Sequence, residues 1–206
     1  MSKIQANQIQ HTANGAAVFT LPSSDGTNGQ FLKTNASGTL SFGSGGKILQ
    51  VVSTTNDAYA SVDTTKNTYY GSLSVEVAIT PSSTSSLIYV VYDIVLSVEV
   101  DAREVTLVPR RKIGSGSYGA LNRIGATGGS RTRVGVSQMS TSKHSACTLP
   151  MTLLDSPSTT STCTYGFYHT LQHGGGWVVR NASFSDSNNA DYARYASTVT
   201  AMEVAA

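Results

Sequence analysis

Beyond Lys47 the chain alternates short apolar runs with turn signals, which is the signature of strands. Strands are predicted near 48–53, 69–79, 86–98, 104–111, 133–139, 147–154, 162–170, 176–182 and 195–204. Thr80-Pro81-Ser82-Ser83, Asp155-Ser156-Pro157-Ser158, Gly174-Gly175-Gly176 and Ser185–Asn189 separate them. No stretch keeps a helical period; one helical turn near Ala190–Tyr195 is all the pattern leaves room for. Gly114–Arg131 is the main irregular insertion. The predicted fold class is therefore all-β, an antiparallel β-sandwich or barrel. Because antiparallel strands alternate direction, the loops at Pro81–Ser85 and Asp155–Ser161 should share one end. Those at Thr54–Thr68 and Leu171–Gly175 should share the other.

The segment 86–98 departs from simple alternation. It reads Leu-Ile-Tyr-Val-Val-Tyr-Asp-Ile-Val-Leu from Leu87, apolar on both faces apart from Asp93. A strand with one wet face alternates apolar and polar, so this one needs cover on both sides. One face suits the sandwich core. The other calls for a neighbouring subunit or, alternatively, a long loop of the same chain.

Residues 1–46 differ in character. Turn signals at Leu21-Pro22, Asp25-Gly26, Asn28-Gly29 and Asn35–Gly38 separate short apolar pieces. Gln30–Thr34 and Thr39–Gly43 make a small hairpin, which is not stable alone. The segment reads as a short extended or hairpin stalk that buries its apolar residues against another body. Ile4, Ile9, Val18, Phe19 and Leu21 are its expected attachment contacts. Gly43–Gly46 reads as a joint to a second domain, 47–206.

Composition sharpens this. Charged residues are only 13% of the chain, against roughly 25% in ordinary soluble domains. Ser, Thr, Gly and Asn fill the gap, suiting turn-rich β structure and a surface partly hidden in an oligomer. The net charge of +2 gives no reason to expect nucleic acid as a partner. Two lone cysteines, Cys147 and Cys163, form no disulfide framework and suit synthesis in a cytoplasm. Met1–Gln10 is polar and lacks an export core, so an extracellular role would imply exit by lysis or within a particle. Leu87–Leu96 is too short to span a bilayer, and membrane insertion is not expected.

The chemistry-bearing patterns are weak. Gly114-Ser-Gly116-Ser-Tyr-Gly119 matches a dinucleotide fingerprint, but no helix-forming run or suitably placed acid follows. His169 and His173 are four apart, a zinc spacing on a helix, yet here they straddle a predicted turn. Three symmetric copies could still gather a metal at an axis. Asp186 with Asp191, and Glu99, Asp101 and Glu104, are the carboxylates available for glycan cleavage, and all fall near turns. No catalytic set, metal site or cofactor is expected; a polysaccharide-degrading enzyme is a third and weaker reading.

Charge is most uneven between Arg103 and Lys143. Arg103, Arg110, Arg111, Lys112, Arg123, Arg131, Arg133 and Lys143 stand there against the single acid Glu104. Such a field suits an anionic surface, such as lipopolysaccharide phosphate or an acidic glycan. It also suits docking on another protein, or a solvated rim of arginines packed by their stems. Arg123, Arg131, Arg133 and Lys143 are the candidate receptor contacts, with the loop aromatics Tyr59 and Tyr118. Tyr69, Tyr70 and Trp177 fall in predicted strands, where packing is the expected role.

Two regions resemble a known family. GAAVFTLPSSDGTNGQFLKTNASGTLSFGSGG (Gly15–Gly46) resembles a module of phage tail-fibre and related virion proteins, those of cyanobacterial and other marine phages especially. The match runs nearly unbroken from Leu21 to Phe42. AITPSSTSSLIYVVYDI (Ala78–Ile94), LLDSPSTTSTCTYGFY (Leu153–Tyr168) and YASTVTAMEVAA (Tyr195–Ala206) resemble the C-terminal knobs of such fibres. The resemblance implies a homotrimeric, fibre-like virion protein. Its N-terminal part would join other phage tail or virion proteins, and a knob resembling the tumour-necrosis-factor jelly roll would contact a host surface glycan or lipopolysaccharide. A structural connector or decoration protein, whose knob meets only other virion proteins, is the alternative.

Overall fold

A computed structural model describes residues 6–10, 18–27, 30–44, 47–99, 101–140, 142, 145–184 and 188–205. Ile4, Lys143, Asp186, the Asn28-Gly29 turn and the Gly45-Gly46 part of the joint lie outside them. The chain divides into two compact units, Met1–Leu49 and Gln50–Ala206.

In the first unit, β1 (Gln8–Gln10) pairs antiparallel with β2 (Val18–Thr20), and β3 (Gln30–Thr34) pairs with β4 (Leu40–Ser44). The expected hairpin is therefore present, with Leu32 opposite Phe42. Its turn places Gly38 at φ +80, and a Cβ there would stand 2.7 Å from the Val18 carbonyl oxygen. Glycine is required at that close approach. Thr20 N donates to Gly38 O at 2.7 Å and ties the two hairpins together. None of this makes a core. Ile9, Val18, Phe19, Leu32 and Phe42 are exposed, and Phe31 is 65% exposed.

The second unit is a two-sheet sandwich. Its strands are β5 (Ile48–Asn56), β6 (Ala60–Thr64), β7 (Val77–Ile79), β8 (Leu87–Val98), β9 (Arg103–Ile113), β10 (Gly119–Ala120), β11 (Val136–Ser140), β12 (Ala146–Asp155), β13 (Cys163–Gln172), β14 (Gly176–Arg180) and β15 (Ser197–Val204). One sheet has the order β5-β15-β8-β12, the other β7-β13-β9-β11. Successive strands mostly change sheet, and this order is that of a jelly roll built from two Greek keys. β14 and β6 extend the first sheet beyond the end of β15, where β14 pairs with Leu96–Val98.

The registers also fix the ends. Asp155 and Val204 lie opposite Ile88 and Leu87 at the start of β8, and Cys163 lies opposite Ile79 and Ile113. The connections 80–86, 114–118 and 156–162 are thus at one end. Those at 57–59, 99–102 and 173–175 are at the other, as strand alternation required.

The core fills the space between the sheets. Ile88, Val90, Tyr92, Ile94, Leu96 and Val98 project inward from β8 and meet Leu149, Phe167, Leu171, Val199 and Ala201. Each such side chain contributes about 1.5–3 kcal/mol by leaving water. The outer face of β8 is divided. Near its end Ser97 Oγ donates to Ala182 O, and Val95 and Ala182 are buried by the chain's own residues beyond β14. Near its start Leu87 and Val91 are half-buried and Tyr89 is exposed. The loop alternative therefore holds for one half of the strand and leaves the other half open within this chain.

Two predicted boundaries are corrected. The expected strand 69–79 shrinks to β7, because Leu73 and Ser74 have φ of 50 and 64, values no strand residue adopts. Tyr70 keeps only an isolated bridge to His169, and residues 72–76 arch across Gly166. The expected loop 54–68 contains the end of β5 and all of β6, whose short polar sequence hid it. A Cβ at Gly166 would lie 3.0 Å from Glu76 Cγ and 3.1 Å from Ser72 Oγ. Gly166→Ala is accordingly expected to destabilise by about 1–3 kcal/mol, read as a lower urea midpoint at unchanged slope.

Candidate functional site

The basic insertion takes its position from a proline. β10 and β11 lie along the same edge of β9, opposite Arg110–Arg111 and Arg103–Leu107 respectively. Between them Leu121 N donates to Pro109 O and Gly135 N donates to Leu107 O. Pro109 has no N–H to offer on that edge, so the partner strand breaks there and loops out. Residues 122–134 are that loop, and it carries Arg123, Arg131 and Arg133.

A cleft lies on each side of the loop. One, of about 410 Å3, is lined by Arg131, Arg133, Ile124, Tyr69 and Tyr168 among others. Arg133 Nε donates to Gly125 O at 2.7 Å, and Tyr69 OH donates to Arg133 O at 3.0 Å, so the loop is anchored at its base. The Tyr69 and Tyr168 rings stand 6.0 Å apart. The other, of about 800 Å3, gathers Arg123, Arg111, Tyr89, Leu154 and Asp155. The structure thus brings Arg131 and Arg133 together and sets Arg123 apart. Tyr69, for which packing was expected, is 44% exposed beside the arginines. The signal that could have found it is Gly71-Ser72, which ends the strand pattern just after the tyrosine pair.

The remaining basic residues are partly neutralised. Arg111 forms an ion pair with Asp155, which also accepts from Tyr165 OH at 2.7 Å. Arg110 Nη2 reaches Glu76 Oε1 at 2.5 Å and Ser72 Oγ at 2.9 Å. Its guanidinium lies 3.8 Å from the centroid of the Tyr118 ring, whose hydroxyl donates to Glu76 Oε2 at 2.5 Å. Burial raises the Glu76 carboxyl, but hydrogen bonds from Ser72, Tyr118 and Arg110 outweigh it and hold it below the usual range. Tyr118 is therefore tied into this network on one ring face. Among the described residues, Arg123, Arg131 and Arg133 form no ion pair.

The other singled-out residues scatter. Tyr59 is exposed on the connection from β5 to β6, away from the arginine loop in the sheet order. Ala58, just before it, is clamped by Arg180 Nη2 at 2.8 Å and Asn181 Nδ2 at 3.1 Å. Trp177 stays exposed on β14. Ile9, Val18 and Phe19 are exposed on β1 and β2, and Leu21 N donates to Asn7 O at 2.9 Å. His169 is buried on β13 while His173 is exposed at φ 64, with Nε2 3.6 Å from Glu104 Oε2. The two imidazoles therefore occupy different environments. Gly114–Gly119 turns β9 into β10, with no helix behind it. Glu99, Asp101 and Glu104 sit at the β8–β9 connection, and none lines either cleft. Among the described residues no three His, Cys, Asp or Glu side chains gather as metal ligands.

No family model matches the chain, and no curated protein does. Similar solved structures include the infectious bursal disease virus Gx strain at 13% identity and a TM-score of 0.40, covering 81% of this chain and 39% of that one. Another is the VP2 subviral particle of infectious bursal disease virus at 12% identity and a TM-score of 0.38, covering 80% of this chain and 43% of that one. The chain thus spans about two-fifths of the length of these structures.

Proposed function

We propose that this chain is a structural virion protein of the tail-fibre kind, a homotrimeric adhesin. It is joined to the particle through residues 1–46 and contacts the host surface through its jelly roll. The sequence resemblance over Gly15–Gly46 supports the first part. The observation that carries self-assembly is a row of apolar side chains across the outer face of the first sheet. Met202 lies opposite Tyr89, and Tyr89 lies opposite Leu154. Ser53 and Thr55 bond Thr200 and Thr198 across β5 and β15, and the same spacing sets Val51 beside Met202. Val51 is 55% exposed and Leu154 58% exposed. A contiguous apolar strip on a chain so poor in charge suits an interface with a second copy.

The 410 Å3 cleft supplies the surface contact. Two guanidinium groups beside two tyrosines suit an anionic sugar or a sugar phosphate, with charge and ring faces both engaged. Analytical ultracentrifugation tests the assembly. Three times the 21.6 kDa chain mass is expected, falling to a single chain when Val51 and Leu154 are both replaced by glutamate. A monomer in the unsubstituted protein sinks the trimer. Locating the jelly roll in the assembled particle separates a host-facing adhesin from a connector, because a connector's loops would be covered by other virion proteins.

A further inference from the structure

The larger cleft, of about 800 Å3, has an unpaired strand edge as one wall. Among the described residues β12 pairs with β8 alone. Which of its backbone groups are free follows from β8. Val95 N donates to Ser197 Oγ, and Val95 O accepts from Asn181 N, so Val95 directs both groups away from β12. Backbone groups alternate in direction along a strand, so Val91 and Tyr89 do the same. Thr152 lies opposite Val91 and Leu154 opposite Tyr89, and their N–H and C=O groups therefore point past the edge of the sheet. Pro150, opposite Asp93 in the same alternating set, fits this assignment because it has no N–H to give β8. It also closes the edge on its side. Thr152 and Leu154 are the open part, and both line the cleft.

Exposed strand edges are usually blunted by charge, because bare N–H and C=O groups recruit another strand. Thr152, Leu153 and Leu154 carry no charge, Leu154 is 58% exposed, and Tyr89 stands beside it. Arg123 lines the same cleft, is exposed and, among the described residues, forms no ion pair, whereas Arg111 is matched by Asp155. Free main-chain groups, an apolar outer row and one unmatched cation thus meet in one place.

We propose that this cleft takes an extended acidic segment of another protein, added to β12 as a further strand. Thr152 and Leu154 give the segment main-chain hydrogen bonds. Apolar side chains on its outer face lie beside Leu154, and an acidic side chain on its inner face meets Arg123. β5, the opposite edge of the same sheet, contains no acid, so a second copy pairing through that edge leaves Arg123 unmatched. The inference goes beyond host contact at the other cleft and uses none of its arginines or tyrosines. It does not need the trimer either, whose apolar strip lies on the face of the sheet rather than along its edge.

Nuclear magnetic resonance on the isotope-labelled full chain tests it with the capped peptides Thr-Val-Glu-Val-Thr and Thr-Val-Lys-Val-Thr. The glutamate peptide is expected to shift the Thr152 and Leu154 amides with a dissociation constant of about 0.1–1 mM, and the lysine peptide to bind at least about tenfold more weakly. Arg123→Glu, in an exposed loop, should reverse that order. Thr152→Pro removes an edge donor at a position that tolerates proline, and it should abolish the response while the rest of the amide spectrum is kept. Binding retained by Thr152→Pro, or by a glutamate peptide methylated on its backbone nitrogens, overturns strand addition. Equal affinity for the two peptides overturns the acidic class. Silence from Thr152 and Leu154 with both peptides overturns the site. If the two amides resist hydrogen exchange before any peptide is added, a second copy already holds the edge, and the proposed source is overturned.

Discussion

Asn181→Ala is expected to remove about 3–5 kcal/mol of folding stability, among the largest effects of any single replacement in this chain. Asn181 is fully buried directly after β14, at φ 61. Its Nδ2 donates to Asn56 O at 2.6 Å and to Ala58 O at 3.1 Å, while Oδ1 accepts from Ser197 Oγ at 2.6 Å. One amide thus joins the end of β5, the connection carrying Tyr59 and the start of β15. Alanine leaves the Asn56 carbonyl and the Ser197 hydroxyl without these partners, and it also tolerates positive φ poorly. Asn181→Gly separates the two costs, because glycine accepts the backbone while losing the same three bonds. It should recover about 1 kcal/mol relative to alanine. Urea titration measures both. Equal midpoints for the two variants would show that the left-handed backbone carries no cost, and a near-wild-type midpoint for alanine would refute the clamp.

Much of the sandwich was legible because burial imposes a period of two. β15 alternates buried and half-buried residues along its whole length, and β12 does so nearly as cleanly. The outer face of β8, apolar in sequence, is covered within this chain only towards its end, around Val95 and Ala182. Tertiary context hid the rest. The tyrosine-rich run before β7 has strand composition, but two left-handed residues and the arch over Gly166 break it. β6 is too short and polar to stand out, and it is a strand because β14 offers it a ladder.

The site was partly legible. The basic excess between Arg103 and Lys143 was visible, but composition could not divide paired arginines from unpaired ones. Strand parity does divide them. Arg111 shares the inward face with Leu107 and Val105, so it required an acid, and Asp155 meets it from the end of β12. Arg110 points the other way and required the arch that carries Glu76. Pro109, unread inside the strand expected at 104–111, marks where the loop leaves the sheet. Glu203 is a buried charge whose partners at Gln50 and Ser82 lie 153 and 121 residues away in sequence, so no local pattern shows it.

Acidification should destabilise the fold in two successive windows, each worth on the order of 2–3 kcal/mol. His169 acts first. Burial lowers its pKa from 6.5 to about 4, so between these values the unfolded chain binds the proton and the folded chain does not. Stability therefore falls as pH drops from 6.5 towards 4. Glu203 acts next. It is 1% exposed, and its carboxylate accepts from Gln50 Nε2 at 2.6 Å, Ser82 N at 2.7 Å and Ser82 Oγ at 2.6 Å. Burial raises its pKa, but these bonds and one from Ser86 outweigh it and lower the group from 4.5 to about 2. The contribution is present above 4.5 and is lost as pH falls towards 2, the same direction as for histidine. Glu76 adds to the lower window, since its pKa is also depressed. Urea midpoints across the acid range resolve the two steps. His169→Phe should flatten the upper one, and Glu203→Gln should reduce the lower one while weakening the fold at neutral pH. A midpoint that stays level between pH 6.5 and about 4 in the unsubstituted protein would mean that His169 is not held neutral in the core.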